Sequence, residues 1–203
     1  MNWPRRPRNS AWVTEVAYTV VYDACVLYPA PLRDLLVELA RTGLFRAKWT
    51  HEIHEEWMRN VLANRPDIRP EALARTRDLM DRAVADCLIS GYEHLVSAVE
   101  LPDPGDRHVV AAAIHARGDA IVTFNLRDFP SQALGRYDLE AIHPDDFIGC
   151  QLDLDEAAVL VAARRCRTRL RSPPMDAQEY LMTLARQSLP KTVGALRRFA
   201  EVI

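Results

Sequence analysis

The sequence predicts an α/β domain built around a mostly parallel sheet, followed by a helical C-terminal extension. Short apolar runs rich in β-branched and aromatic residues, which are typical of buried parallel strands, alternate with amphipathic helical stretches as far as residue 148. Residues 150–203 contain several helical stretches and no strand candidate. The length of 203 residues and the 49% hydrophobic content suit one domain with a small appendage.

These observations divide the chain into a flexible arm at 1–15, an α/β domain at 16–149 and a helical extension at 150–203. The arm carries basic residues, but Thr14 and Glu15 interrupt the apolar segment that a signal peptide needs. No apolar run approaches the ~20 residues that span a bilayer. We therefore expect a cytoplasmic protein that has no membrane partner.

The first elements follow from residue spacing. The apolar run AYTVVY at 17–22 predicts a buried strand that ends at Asp23. In LRDLLVELARTG at 32–43, apolar residues recur at helical spacing and a glycine closes the segment. FRAKW at 45–49 predicts a short second strand. Together these segments predict a β–α–β unit, which places its two strands in parallel.

The next segments predict two helices and a short strand. Thr50 precedes a helix as its N-cap, and one face of that helix is apolar, with Ile53, Trp57, Val61 and Leu62. Pro70 opens a second amphipathic helix. CLIS at 87–90 is a candidate third strand. We expect Trp49 and Trp57 to pack in the core or in an interface.

The remaining segments of the domain repeat the strand and helix alternation. LPDPGD at 101–106 predicts a turn, and a small-residue helix then ends at Gly118. DAIVTF at 119–124 is the clearest strand pattern, and the loop NLRDFP follows it. LEAIH at 139–143 predicts the last strand, and HPDDF at 143–147 begins a helix. In the extension, SPP at 172–174 and a later proline interrupt the helices.

Several classes of site are excluded by the motifs. The net charge of −2 argues neither for nor against a nucleic-acid partner. The four cysteines contain no C-x-x-C pair, and the seven glycines form no G-x-G-x-x-G or Walker motif. In HEIHEE at 51–56, His51 and His54 are three residues apart, whereas a zinc-protease helix needs a spacing of four. We expect both histidines on the surface.

Acidic and amide side chains fall where the predicted strands end. Ligands of open α/β sheets bind beyond the carboxyl ends of the strands. Asp at such a position is often only a helix N-cap or an Asx turn, and we expect Asp106 to cap its helix in any case. A glutamate on an exposed helix is usually solvated, as Glu56 would be alone. The candidate site residues that this pattern indicates are Asp23, Glu56, Asp103, Asp106, Asn125 and Asp128.

Taken together, these carboxylates predict a metal site. Several acids at adjacent strand ends repel one another unless a positive charge lies between them. Ligand sets made only of oxygen favour hard cations such as Mg²⁺ or Mn²⁺. Such a site suits phosphodiester hydrolysis, and the absence of a phosphate-binding loop favours a nuclease over a kinase.

The order of these residues resembles that of PIN-domain ribonucleases, the family that includes the toxins of VapBC-type toxin–antitoxin pairs. The resemblance spans about residues 17–148 and is most specific in one run of sequence. The matching segments are VVYDACVLYP, HEEWMRNVL, DPGDRHVVAAAIHARGDAIVTFNLRDFP and EAIHPDDFI. It implies a three-layer α/β/α sandwich with a central mostly parallel sheet. It also implies endonucleolytic cleavage of RNA with Mg²⁺ or Mn²⁺, a protein antitoxin as partner, and a homodimer.

Carried over by position, the resemblance assigns the catalytic role to Asp23, Glu56, Asp106 and Asp128, and the metal to the three aspartates among them. Four residues are candidates for support next to the metal: Asn125, Asp103, Cys25 and Glu52. Asn125 matches a polar residue that often accompanies the acids, and Asp103 is an added acid. Cys25 stands where many members have Ser or Thr, and a thiol is the weaker hydrogen-bond donor. Glu52 is the stronger rival of Glu56, since residues four apart share a helix face, whereas Glu55 points about 100° away.

Other side chains leave alternatives open. Arg164, Arg165, Arg167, Arg169 and Arg171 form either an RNA-contacting face or a helix face that is solvated or paired with neighbouring acids. His108 could approach a substrate, although a histidine at such a position more often packs or lies on the surface. Two other functions compete with the ribonuclease: a catalytically degenerate PIN-like binding module, and another metal-dependent phosphohydrolase.

Overall fold

The computed structural model describes residues 18–203, so the arm predicted for 1–15 lies outside the described residues. A single sheet contains four strands in the order β2-β1-β3-β4, and every pair is parallel. The strands are β1 (Thr19–Tyr22), β2 (Arg46–Lys48), β3 (Ala120–Val122) and β4 (Glu140–Ile142). In the register of the sheet, Val20 of β1 lies between Ala47 and Ala120.

Helices flank this sheet and continue beyond it. They are α1 (Ala24–Leu27), α2 (Ala30–Ala40), α3 (His51–Asn64), α4 (Pro70–Ala83), α5 (Arg107–His115), α6 (Ser131–Leu134), α7 (Pro144–Leu154), α8 (Glu156–Arg169), α9 (Ala177–Ala185) and α10 (Pro190–Arg197). Short 3-10 turns occupy Glu93–Ala98, Pro104–Asp106 and Gly135–Tyr137. The predicted α/β/α sandwich with a helical C-terminal extension is confirmed.

The core lies between the strands and the helices that cover them. The central strands β1 and β3 are buried along their whole length, as expected for parallel strands covered on both faces. In α5, the run Val109–Ala113 has no exposed surface, and its small side chains let the helix pack closely on β1 and β3. Trp49 and Trp57 are fully buried, so the prediction that they pack in the core is confirmed.

The segment CLIS at 87–90 does not form a full strand. A single parallel bridge joins Leu88 to Trp49, with hydrogen bonds from the Trp49 amide to the Cys87 carbonyl (2.9 Å) and from the Ile89 amide to the Trp49 carbonyl (2.9 Å). Pairing stops there because β2 has already ended and Gly91, at φ 82°, turns the chain away.

His54 is buried, so its predicted surface position is wrong. Its Nδ1 accepts a hydrogen bond from Trp57 Nε1 (2.9 Å), and its Nε2 lies 2.9 Å from the Asp81 carboxylate. The same Asp81 oxygen accepts a hydrogen bond from Trp49 Nε1 (2.8 Å). Burial lowers the pKa of His54 despite the Asp81 carboxylate. This neutral imidazole therefore ties α3 to α4, while His51 is exposed.

The C-terminal extension joins the domain through a buried carboxylate on α2. Glu38 is 2% exposed and lies in ion pairs with Arg169 (2.6 Å) and Arg41 (2.7 Å), with Arg165 at 3.9 Å. Arg169 and Arg165 belong to α8, so these contacts attach that helix to α2. The guanidinium groups keep part of their surface in water, which is how long cationic side chains usually pair with a buried acid.

A second attachment joins α7 to α10. The buried carboxylate of Asp145 accepts hydrogen bonds from the backbone amides of Lys191 (2.9 Å) and Thr192 (2.8 Å), in the first turn of α10. Because α7 runs without a break through residues 149 and 150, the predicted domain boundary there stays a prediction. Within residues 18–203, no helix combines the length and the apolar character needed to cross a bilayer.

Candidate functional site

The predicted site residues converge at the carboxyl edge of the central strands. Asp23 follows β1 directly, and its amide donates to the Val122 carbonyl at the end of β3 (3.1 Å). The loop after β3 carries Asn125 and Asp128. Asp106 directly precedes α5, which packs on both strands. Short loops from neighbouring parallel strands thus bring these side chains to one edge of the sheet.

Asp23 is the most deeply buried of the acids, with 2% of its surface exposed. Its Oδ2 accepts hydrogen bonds from Thr123 Oγ1 (2.7 Å) and from Cys25 Sγ (3.0 Å). Burial raises the pKa of Asp23, the two hydrogen bonds oppose that rise, and the charge of Glu56 adds to it. Although Asp23 stands at the N-cap of α1, its side chain makes no capping bond, and its carboxylate is held by Thr123 and Cys25 instead.

Thr123 is a residue of this site that the sequence did not single out. It is fully buried, and besides donating to Asp23 its hydroxyl accepts a hydrogen bond from the Asn125 amide (2.9 Å). It therefore links the buried aspartate to the loop that carries Asn125 and Asp128. The sequence offers one signal for Thr123, a hydroxyl near the end of the apolar pattern DAIVTF. That pattern by itself predicts only a strand.

Cys25 supports Asp23 in the way a hydroxyl would. Its thiol donates to the Asp23 carboxylate and its sulfur accepts a hydrogen bond from the Phe124 amide (3.2 Å). Burial, followed by the nearby Asp23 charge, raises the pKa of the Cys25 thiol. The thiol therefore keeps its proton and remains a donor at neutral pH.

Asp106 is the acid whose pKa responds most clearly to its acidic neighbours. Burial raises its pKa to about 7, and the charges of Asp23, Asp103, Asp128 and Glu56 contribute in that order. The Asp106 carboxylate therefore experiences the charge of each of these four acids. The expectation that Asp106 caps its helix is wrong, since its side chain makes no capping bond although it occupies the N-cap position of α5.

The supporting candidates differ in what they contact. Asp103 is exposed, and its Oδ1 accepts a hydrogen bond from the Gly105 amide (2.7 Å), which closes the turn before Asp106. Asn125 is exposed, and its carbonyl accepts from the Asp128 amide (2.9 Å), which shapes the loop. These bonds give Asp103 and Asn125 a role in the loops that present Asp106 and Asp128.

Glu56 and Glu52 lie on one face of α3, and a histidine lies between them. His108 Nε2 is 3.4 Å from Glu56 Oε2, and His108 Nδ1 is 3.7 Å from Glu52 Oε2. His108 is 6% exposed, so of its expected positions the packed one is observed. Burial by itself lowers the pKa of His108, but the carboxylates of Glu56 and Glu52 outweigh it and the pKa is raised.

The donor set fits a hard divalent cation. All the acids offer oxygen, and within residues 18–203 no lysine or arginine forms an ion pair with them, the cationic contact being His108 to Glu56. Burial and the charges of the neighbouring acids both raise the pKa of Asp106, and a bound cation would offset both effects. In the same part of the chain, no three His, Cys, Asp or Glu side chains already stand together as a ready ligand set.

The five arginines of α8 and the following turn lie away from these acids. Since α2 leads from the end of β1 back to the start of the parallel strand β2, its C-terminal Glu38 is at the opposite edge of the sheet. Arg165 and Arg169 pair with Glu38, and Arg167 donates to the carbonyls of Ile203 (2.9 Å) and Met175 (2.9 Å). An RNA contact by these arginines stays a prediction. Arg164 and Arg171 are exposed and form no ion pair within residues 18–203, so they are the ones open to it.

Comparison with known proteins adds three findings. The PIN-domain family model matches residues 19–127, and the model described as the VapC50 C-terminal domain matches residues 144–198. A relative named "Putative ribonuclease VapC50", from Mycobacterium tuberculosis (strain H37Rv), is 39% identical over 108 residues, which are 53% of this chain and 63% of the relative. The alignment thus spans less than two thirds of that protein. No solved structure matches this chain significantly.

Proposed function

This chain belongs to the PIN-domain family, and we propose that it is an endoribonuclease that hydrolyses RNA phosphodiester bonds with Mg²⁺ or Mn²⁺. The observation that carries the proposal is the buried Asp23 carboxylate at the ends of β1 and β3, which accepts hydrogen bonds from Thr123 (2.7 Å) and Cys25 (3.0 Å). The raised pKa of Asp106, caused by burial and by the neighbouring acids, agrees with it. An acidic cluster of this kind at the carboxyl edge of a parallel sheet suits a metal-dependent hydrolase. The relative named as a ribonuclease supports RNA as the substrate.

The residues divide the work as follows. Asp23, Asp106 and Asp128 would hold the cation, which supplies charge neutralisation at the phosphate and lowers the pKa of water. Asp23 is fixed in place by Thr123 and Cys25, so its carboxylate is preorganised. Glu56 is 29% exposed at its side chain, which lets it accept a proton from an attacking water at the rim of the site.

We further propose that the protein acts as the toxin of a type II toxin–antitoxin pair in the cytoplasm. The family model at residues 144–198, described by the name VapC50, supports this class. An antitoxin segment that carries Arg or Lys into the acidic site would neutralise the same charges that a metal and an RNA phosphate require. We also propose that the protein forms a homodimer. In the same way, we propose that the chain divides at 149/150 into a PIN-like domain and a helical extension.

The proposal is tested with total bacterial RNA. Purified protein is incubated with the RNA in Mn²⁺, in Mg²⁺ and in EDTA, beside Asp106→Asn and the exposed control Asp153→Asn on α7. New 5′ ends are then mapped. We expect cleavage at defined sites that needs metal, disappears in Asp106→Asn and persists in Asp153→Asn. Cleavage that persists in EDTA would contradict the proposed dependence on a divalent metal. Turnover of small phosphomonoesters without RNA cleavage would indicate another phosphohydrolase. A protein that neither cleaves RNA nor binds Mn²⁺ by calorimetry would be a binding module.

A further inference from the structure

We propose that His108 is a positioning residue that holds Glu56 at the acidic site and is itself supported by Glu52 and Tyr92. The proposal rests on the proposed ribonuclease function and assigns a residue that the acids alone do not reveal. His108 stands in the first turn of α5, two residues after Asp106. Glu56 and Glu52 stand one turn apart on α3.

The contacts run in series from the buried Tyr92 through the exposed Glu52 and the buried His108 to Glu56. The hydroxyl of Tyr92, a residue 4% exposed, donates to Glu52 Oε2 (3.0 Å). The same Glu52 oxygen is 3.7 Å from His108 Nδ1, and His108 Nε2 is 3.4 Å from Glu56 Oε2. Glu56 in turn contributes to the raised pKa values of Asp23 and Asp106. Each side chain thus contacts the next. The last one, Glu56, contacts the helix that begins directly after Asp106, and its own helix α3 packs on α1, which begins directly after Asp23.

Burial makes His108 a poor substrate contact and a good support. Only 6% of it is exposed, and Nδ1 is buried without a hydrogen-bond partner, since 3.7 Å exceeds hydrogen-bond distance. A buried polar nitrogen left in this way costs stability. An aliphatic side chain would fill the same space between α3 and α5 at less cost, so packing alone does not explain an imidazole there.

The imidazole solves a problem that the acidic cluster creates. Glu56 carries a long side chain, and the neighbouring carboxylates of Asp23 and Asp106 repel it away from the site. An imidazole N–H 3.4 Å from its carboxylate attracts that side chain and restrains it against this repulsion. In this arrangement Glu52, 3.7 Å from His108 Nδ1, acts on Glu56 only through His108.

The test is a double-variant comparison of RNA cleavage in Mn²⁺. His108→Leu should lower kcat about 10- to 100-fold, the scale expected for a misplaced catalytic group, while KM and the Mn²⁺ midpoint change less than about twofold. His108→Gln, which keeps an N–H, should recover part of the rate. The double variant His108→Leu with Glu56→Gln should be no slower than Glu56→Gln alone, because His108 acts only through Glu56. Multiplicative losses, or a changed KM with an unchanged kcat, would overturn the proposal.

Two controls distinguish a loss of Glu56 positioning from misfolding of the variant and from a failure of the proposed ribonuclease function. His115→Leu, at the exposed far end of the same helix, should leave kcat unchanged, and Glu52→Gln keeps the test open if His108→Leu fails to fold.

The ¹³C resonance of the Glu56 carboxyl, assigned by its loss in Glu56→Gln, reports the position of that carboxyl independently of RNA cleavage. It should shift in His108→Leu, or in Glu52→Gln, and not in His115→Leu. If the wild type cleaves no RNA but the resonance shifts, the proposed function fails and the positioning stands. An unshifted resonance refutes the positioning.

Discussion

Replacement of Asp106 by Asn should stabilise the metal-free protein, although it removes a residue of the proposed site. Burial and the surrounding carboxylates raise the pKa of Asp106 to about 7, while an unfolded chain releases this proton near pH 4. Between these values the folded state binds more protons than the unfolded state. The free energy of unfolding therefore falls as pH rises from about 4 to about 7, and the full penalty persists above pH 7.

The magnitude follows from the size of the shift. About three pKa units at 1.36 kcal/mol each give an upper value of about 4 kcal/mol. Asp106 is only half-buried, so solvent screening reduces the expected effect to on the order of 1–2 kcal/mol. Asn keeps the shape of the side chain and carries no charge. The variant should gain this amount over the wild type at pH 8 and clearly less at pH 5.

The assay is urea unfolding in EDTA at pH 5, 6, 7 and 8, with Asp153→Asn on the exposed side of α7 as the control. The midpoint should rise for Asp106→Asn with little change in the slope, and the rise should grow with pH. Addition of Mn²⁺ should reverse the order, since the cation stabilises the wild type and the variant has lost a ligand. A variant that is no more stable than the wild type at pH 8, or equally stabilised at every pH, would refute the repulsion inferred for this cluster.

Three further predictions concern neighbouring contacts. Thr123→Val should lower Mn²⁺-dependent RNA cleavage about tenfold or more because Asp23 loses a hydrogen bond, while Thr123→Ser should retain most of it; equal rates for the two would contradict the support role. Cys25→Ser should keep cleavage within about threefold, because a hydroxyl replaces a thiol donor, and a complete loss would show that sulfur itself is needed. Glu38→Gln should lower the free energy of unfolding by about 2–3 kcal/mol, because it leaves Arg169 without its partner carboxylate beside a buried group. Cleavage per folded molecule should stay unchanged. An unchanged midpoint in urea unfolding would contradict this prediction.

The sheet and the placement of the acids could be predicted from the sequence because both depend on local patterns. Apolar runs identified β1 and β3, and residues that follow parallel strands must meet at one edge of the sheet. The candidate strand at 87–90 could not be distinguished from a bridge, since four apolar or small residues fit either. Whether they pair depends on where β2 ends, which is a tertiary property.

Side-chain partners far apart in sequence could not be predicted. His54 lies within a polar stretch, and the carboxylate that allows its burial comes from Asp81, 27 residues later. In the same way, nothing local showed that His108 would lie between two glutamates of another helix, or that Arg165 and Arg169 would pair with Glu38. Local patterns placed the candidate acids at one edge of the sheet, whereas the contacts that hold them required the fold.

The central claim is that the acids around Asp106 hold a cation that serves RNA hydrolysis. The most direct measurement is the single-turnover cleavage rate, in Mn²⁺, of an RNA that contains a mapped site, for wild type and Asp106→Asn side by side. We predict a loss of about 10²- to 10³-fold in the variant, the scale found when a group that stabilises transition-state charge is removed. Equal rates for the two proteins would contradict the claim, because cleavage would then proceed without this carboxylate.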